Sequence, residues 1–153
     1  AWRILHEWKP FAGTSPRAMP SSEELAAIVE RVRTLAMERR HSGIVDDHLG
    51  KALATSPLGT DGVWPHESVR EVLERNSSKA LADGFVAGKR NLRGVTSRSP
   101  GDGGEQERQL AAQYETWQRA LAVSHPRTSA LLGRLAEGYR SEATLEDVEV
   151  LKR

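Results

Sequence analysis

Lys89, Arg90, Arg93 and Arg98 lie within one short stretch that runs into Gly101-Asp102-Gly103-Gly104 and then into the sequence EQERQL. Cationic side chains, glycines and a fresh helix start are the parts of an anion site. Exposed N–H groups and the positive end of the helix dipole attract negative charge, and arginine forks hold phosphate through two parallel hydrogen bonds. Asn91 and Gln106, with Thr96 and Ser97, add polar contacts, and Gly104 would let a ligand approach the backbone. The candidate set for a phosphate-bearing ligand or nucleic acid is therefore Lys89, Arg90, Asn91, Arg93, Arg98, Gly104 and Gln106. Against it, Asp102, Glu105 and Glu107 place negative charge at the same helix start. The stretch matches neither a Walker loop nor a dinucleotide-binding glycine motif.

The histidines carry less. His41, Asp46, Asp47 and His48 invite a metal reading, extended by His66-Glu67, but HSGIVDDH lacks the two histidines four apart with a glutamate between them that a zincin helix needs. No metal and no cofactor is expected. Serine, histidine and carboxylates are present, yet no GxSxG elbow frames a nucleophile. Glu137, Glu142, Glu146 and Glu149 lack the Glu-x-x-His pairs of di-iron bundles and read as a solvated helix face. The balance favours binding over catalysis, with an enzyme built around the 89–108 loop as a third reading.

A chain of 153 residues, 38% hydrophobic and 28% charged, has the material for one helical domain spanning 1–153. It contains no cysteine, which excludes disulfides, thiolate metal sites and cysteine nucleophiles and points to a cytoplasmic location. No apolar run is long enough for a membrane span. Net charge is only +1, but residues 64–100 carry seven Lys/Arg against four Asp/Glu, whereas 101–153 carry seven against nine. Arginine outnumbers lysine by 17 to 5, and the chain opens on Ala1-Trp2-Arg3 rather than Met, as a processed form or a piece of a longer protein would.

The elements that must position these groups all read as helices. Trp2, Ile4, Leu5, Trp8 and Phe11 suggest a short amphipathic helix stopped by Pro10, and residues 13–20 form a turn-rich linker. Ser21-Ser22-Glu23-Glu24 is a capping box. Leu25, Ile28, Val29, Val32, Leu35 and Ala36 then recur at helical spacing as the inward face, with Gly43 as a left-handed stop. A shorter helix turns Ile44, Val45, Leu49, Ala52 and Leu53 inward. Pro65 fits the first turn of a long helix reaching Leu92, which Asn76-Ser77-Ser78 bends or splits. Its inner face includes Val69, Val72, Leu73, Leu81 and Phe85, and Ala80, Gly84 and Gly88 form a smooth stripe for close helix approach.

After the break at 93–104, one helix carries Leu110, Tyr114, Trp117 and Leu121 to His125-Pro126. A last one carries Leu131, Leu132, Leu135 and Tyr139, with Leu145, Val148 and Leu151 as further inward candidates. Tyr114, Trp117 and Tyr139 stand at core spacing, and Trp64 near a helix end should bury its ring and leave its N–H wet. The fold expected is all-α, a bundle of about five or six helices ending in a long hairpin.

WPHESVREVLE, NLRGVTSR, GGEQERQLA and HPRTSALL, in that order, resemble an uncharacterised actinobacterial protein family over about residues 60–145. The resemblance implies that Asn91, Arg93, Gly94, Gly104, Gln106 and Glu107 are the positions to test, and that a longer chain precedes this one. The leading expectation is a helical interaction module that binds a protein partner or another part of the same longer chain. Recognition of a phosphate-bearing ligand or nucleic acid by the 89–108 loop is the alternative.

Overall fold

The computed structural model describes residues 9–38, 42–94 and 103–152; the N-terminal stretch as far as Trp8, with Thr96, Ser97 and Arg98, lies outside them. Regular structure among the described residues is wholly helical, with no strand. A 3₁₀ turn at Pro16–Ala18 precedes six α-helices: α1 (Ser22–Glu38), α2 (Ser42–Leu53), α3 (Glu67–Arg75), α4 (Lys79–Leu92), α5 (Glu105–Leu121) and α6 (Pro126–Leu151). The all-α expectation holds. The chain divides into two units, Ala1–Leu92 and Arg93–Arg153.

In the first unit α1 opens with the expected capping box. Ser21 Oγ accepts the Glu24 N–H at 3.2 Å, and Glu24 Oε2 accepts the Ser21 N–H at 2.8 Å. Two orphan donors of the helix start are satisfied reciprocally. Leu25, Val29 and Ala36 are buried, but Ile28 is 46% exposed and Leu35 lies on the same outer side. Only one narrow stripe of α1 meets α2 and α3, so the wider apolar face expected from spacing is half covered. Gly43 does not end α1; it lies in the first turn of α2. Ile44 likewise faces out, whereas Leu49, Ala52 and Leu53 are buried.

The Asn76-Ser77-Ser78 triplet splits the expected long helix into α3 and α4. Asn76 directs its side-chain amide to the Val72 carbonyl at 2.7 Å, and the Ser78 hydroxyl accepts the Leu81 N–H, so side chains close one helix and open the next. Pro65 is not in a helical turn: the Trp64–Pro65 bond is cis, and α3 starts two residues later.

The heart of this unit is the crossing of α2 and α4. Gly84 lies on the Asp47 backbone, Gly88 on Lys51 and Ala54, and Gly50 on Leu81 and Phe85. These pairs advance together along both helices, so α2 and α4 run in the same direction. A Cβ at Gly84 or Gly50 would collide with a backbone carbonyl. Removing it lets the axes come closer than larger side chains permit. Of the expected stripe, Gly84 and Gly88 make this contact; Ala80 is exposed, one turn beyond the crossing.

The second unit is an antiparallel hairpin of α5 and α6. Arg108 pairs with Asp147, Glu115 with Arg140, and Gln118 accepts from Ser129, a descending order that fixes the antiparallel sense. Tyr114 and Tyr139 stack at 5.6 Å between ring centroids, with Trp117 edge-on to Tyr114 at 5.4 Å. Tyr114 and Tyr139 are core, as their spacing predicts, whereas Trp117 is only half-buried. Burial pushes the Tyr114 hydroxyl well above the ordinary tyrosine range. Leu145, Val148 and Leu151 point outward instead of joining that core. Among the described residues, no helix is long and apolar enough to cross a membrane.

Candidate functional site

The seven candidate anion ligands are divided between the two units. Lys89, Arg90 and Asn91 form the last turn of α4; Arg93, Gly104 and Gln106 belong to the hairpin unit; Arg98 lies outside the described residues. Arg90 and Asn91 are exposed and Gln106 is half-buried.

Arg93 is held from three sides. Its guanidinium contacts Glu107, which is fully buried, approaches Glu142 at 3.6 Å and lies over the Tyr139 ring at 5.4 Å. Two carboxylates and an aromatic face thus occupy the fork that was expected to hold phosphate. Gly104, the N-cap residue of α5, donates its N–H to Asp147 Oδ1 at 2.8 Å. Asp147 also accepts from Arg108, so α5 is capped by a carboxylate from α6. The backbone of Gly104 lies against Ala143, where a Cβ would not fit. Glycine here serves helix contact rather than ligand approach. The Asn-x-Arg-Gly and Gly-Gly-x-Gln-Glu patterns meet physically through Arg93 and Glu107.

Of the histidine and aspartate cluster, His41 lies outside the described residues and both aspartates are taken up in ion pairs. Asp46 accepts from Arg33 at 2.8 Å, and Asp47 from Lys51 at 2.6 Å. No group of three ligating side chains that could hold a metal occurs among the described residues. Between α1 and α2 a cavity of about 90 Å³ is lined by Arg33, Ala36, Met37, Val45 and Asp46.

The most elaborate polar architecture lies in the loop before α3. No family model, curated protein or solved structure matches this chain. The loop is therefore read from its own geometry. Arg70, 2% exposed, reaches back from α3 and donates Nε to the Pro65 carbonyl at 2.6 Å. Its two terminal nitrogens grip Asp61 at 2.7 and 2.8 Å, and one also bonds the Val63 carbonyl at 2.5 Å. Glu67 Oε1 accepts the Thr60 N–H at 2.8 Å and the Thr60 hydroxyl at 2.6 Å. Trp64 is buried with its Nε1–H on the Ser56 carbonyl at 2.9 Å, so the indole N–H expected to be wet is bonded inside the protein. Phe85 stacks on one side of that indole, and the Lys89 ammonium lies 4.2 Å from its centroid.

Ser68, His66 and Glu67 reproduce the donor order of a hydrolase relay. The His66 Nδ1 accepts the Ser68 N–H at 3.2 Å and lies 2.9 Å from Ser68 Oγ, which leaves the ring proton on Nε2, 3.3 Å from Glu67 Oε2. Ser68 is buried, however, and its N–H and hydroxyl both serve the cap of α3. The trio closes a helix end rather than presenting a nucleophile.

The Arg70 fork holds the Asp61 carboxyl at about 2, from an ordinary 3.8, against the smaller opposing effect of burial; the Val63 N–H adds to it. At Glu67 burial pushes the carboxyl up, but the Thr60 bonds and the other polar contacts outweigh it and leave it below the ordinary value. Because the folded Asp61 value lies below the unfolded one, its contribution is complete above about pH 4 and fades as pH falls through about 2. Asp61→Asn should therefore lower the urea midpoint at pH 7 and leave it close to wild type at pH 2. An equal gap at both pH values would show that the carboxylate charge is not what binds the loop.

The signal missed in the sequence was Asp61 followed nine residues later by Arg70, with Gly62 at φ +77° turning the chain between them. No helical or strand period links two such positions, so spacing alone could not pair them.

Proposed function

We propose that this chain is a helical interaction module that binds a protein partner along the outer face of the last turns of α6. One observation carries this reading. Leu145, Val148 and Leu151 are 66%, 41% and 86% exposed, and they repeat every three residues on the side of α6 opposite buried Tyr139 and Ala143. A helix that is apolar on its packed side and again on its outer side presents a surface suited to a partner helix. The alternative of phosphate or nucleic-acid binding is weaker, because carboxylates already engage Arg93 and the Gly104 N–H.

The test places a photo-crosslinking residue at position 145 or, as a control, at exposed position 28, in the cell that makes the protein. The partner captured at 145 is then purified and titrated against variants. Val148→Glu should weaken binding about tenfold or more, as loss of a central apolar contact does. It should leave the melting temperature nearly unchanged, since the residue already faces water. Binding that survives both Val148→Glu and Leu145→Glu would remove the surface from consideration. Self-crosslinking would identify a second copy as the occupant instead.

A further inference from the structure

The outer face of α6 carries a charge pattern that its apolar residues do not explain. Glu142, Glu146 and Glu149 recur at spacings of four and three, so they form one row along the flank of Leu145 and Val148. Their side chains reach water, Glu149 at 61% exposure and Glu142 at 34%. Residues 142–151 hold four Asp/Glu and no Lys/Arg, whereas 126–136 hold two Arg and no Asp/Glu. The helix is charged against its own dipole. A helix C-terminus favours cations, and the last turn of α6 contains none. Arg93 approaches Glu142 at 3.6 Å, Arg108 meets Asp147 at 2.8 Å and Lys152 reaches Glu149 at 3.2 Å. Exposed pairs of this kind hold weakly, so an incoming cation can share the same carboxylates.

On the reading that this face binds a protein partner, we infer that the partner contributes an amphipathic helix with a basic flank. Its apolar residues cover Leu145, Val148 and Leu151, and its Lys or Arg side chains lie along the Glu142, Glu146 and Glu149 row. Cations brought there meet three carboxylates and the negative end of the α6 dipole together. A second copy of this chain is the wrong occupant. A symmetric contact sets the same patch against itself, so laying stripe on stripe brings segment 142–151 against segment 142–151. That segment offers its own glutamates no cation, and the like charges oppose each other across the contact.

The experiment titrates two synthetic helical peptides against the intact chain by fluorescence anisotropy at low salt. Both carry the same leucine stripe; one is flanked by lysines and the other by glutamates. The lysine peptide should bind at least about tenfold more tightly, since three exposed ion pairs contribute about two- to threefold each. Glu146→Gln with Glu149→Gln should weaken it about fivefold. Glu23→Gln with Glu38→Gln, which removes the same charge from exposed positions of α1, should leave it unchanged. Val148→Ser should weaken it as well, because the stripe supplies the apolar contact. Equal binding of the two peptides, both weakened by Val148→Ser, would overturn the basic partner and leave the apolar face standing. Lysine-peptide binding indifferent to Val148→Ser would overturn it too, as bare attraction between opposite charges. Self-association of the chain that Val148→Ser reverses would make a second copy the occupant and end the inference. Failure of both peptides to bind would also count against it, while crosslinking at position 145 still judges the face itself.

Discussion

Replacing Gly84 by leucine should destabilise the first unit by about 3 kcal/mol or more, the upper end of what overpacking a tight contact costs. The reason is geometric. The first carbon of any side chain at this position would fall on the Asp47 carbonyl of α2, and a backbone carbonyl in mid-helix cannot step aside. Even Gly84→Ala should therefore be destabilising, although alanine is the better helix former by about 1 kcal/mol. Urea denaturation followed by circular dichroism would read both. Ala80→Leu is the natural comparison, being on the same stripe but exposed, and it should shift the midpoint little. If Gly84→Leu were as mild as Ala80→Leu, α2 and α4 could not cross through their glycines.

Arg70→Met should cost about 1–3 kcal/mol, the loss expected when a buried carbonyl is left without its donor, since water can solvate the half-exposed Asp61 carboxylate. Methionine retains much of the aliphatic bulk, so the effect isolates the guanidinium. Its loss would leave the Pro65 and Val63 carbonyls without their donor and free the Asp61 carboxylate from its fork. Arg70→Lys should recover less than half of the loss, because an ammonium cannot serve Asp61 through two parallel bonds while reaching Pro65. The two substitutions also predict different acid behaviour. The pH 2 to 4 dependence contributed by Asp61 should shrink in Arg70→Met to the part that the Val63 N–H supplies, and should stay larger in Arg70→Lys. A wild-type midpoint for Arg70→Met would mean that water replaces the guanidinium and that the loop is held by Glu67 and Trp64 alone.

Much of the fold was legible in the residues because its causes are local. The Ser21–Glu24 capping box, the Asn76-Ser77-Ser78 interruption and the His125-Pro126 boundary depend on groups a few residues apart, and each appears where the chain predicts it. The Gly84 and Gly88 stripe and the Tyr114 and Tyr139 stack were also legible, since helical periodicity puts such residues on one face whatever lies opposite. What periodicity cannot supply is whether anything lies opposite. Ile28, Ile44, Leu145 and Val148 have core spacing and face water, because burial depends on neighbours brought by other parts of the chain.

Electrostatic partners were the least legible for the same reason. Arg93 and Gly104 look like anion ligands when only the basic loop is considered. The approach of α6 gives them Glu142 and Asp147, which lie 49 and 43 residues away along the chain. Arg70 and Asp61 show the converse, an ordinary helical arginine and an ordinary loop aspartate that become the anchor of the loop once the chain turns at Gly62. Helix starts, helix stops and apolar or small faces follow from the residues alone, because they are short-range matters of capping, dihedral preference and period. Which faces are covered and which charges are already paired follows from the packed chain, because both depend on distances in space that no spacing along the chain encodes.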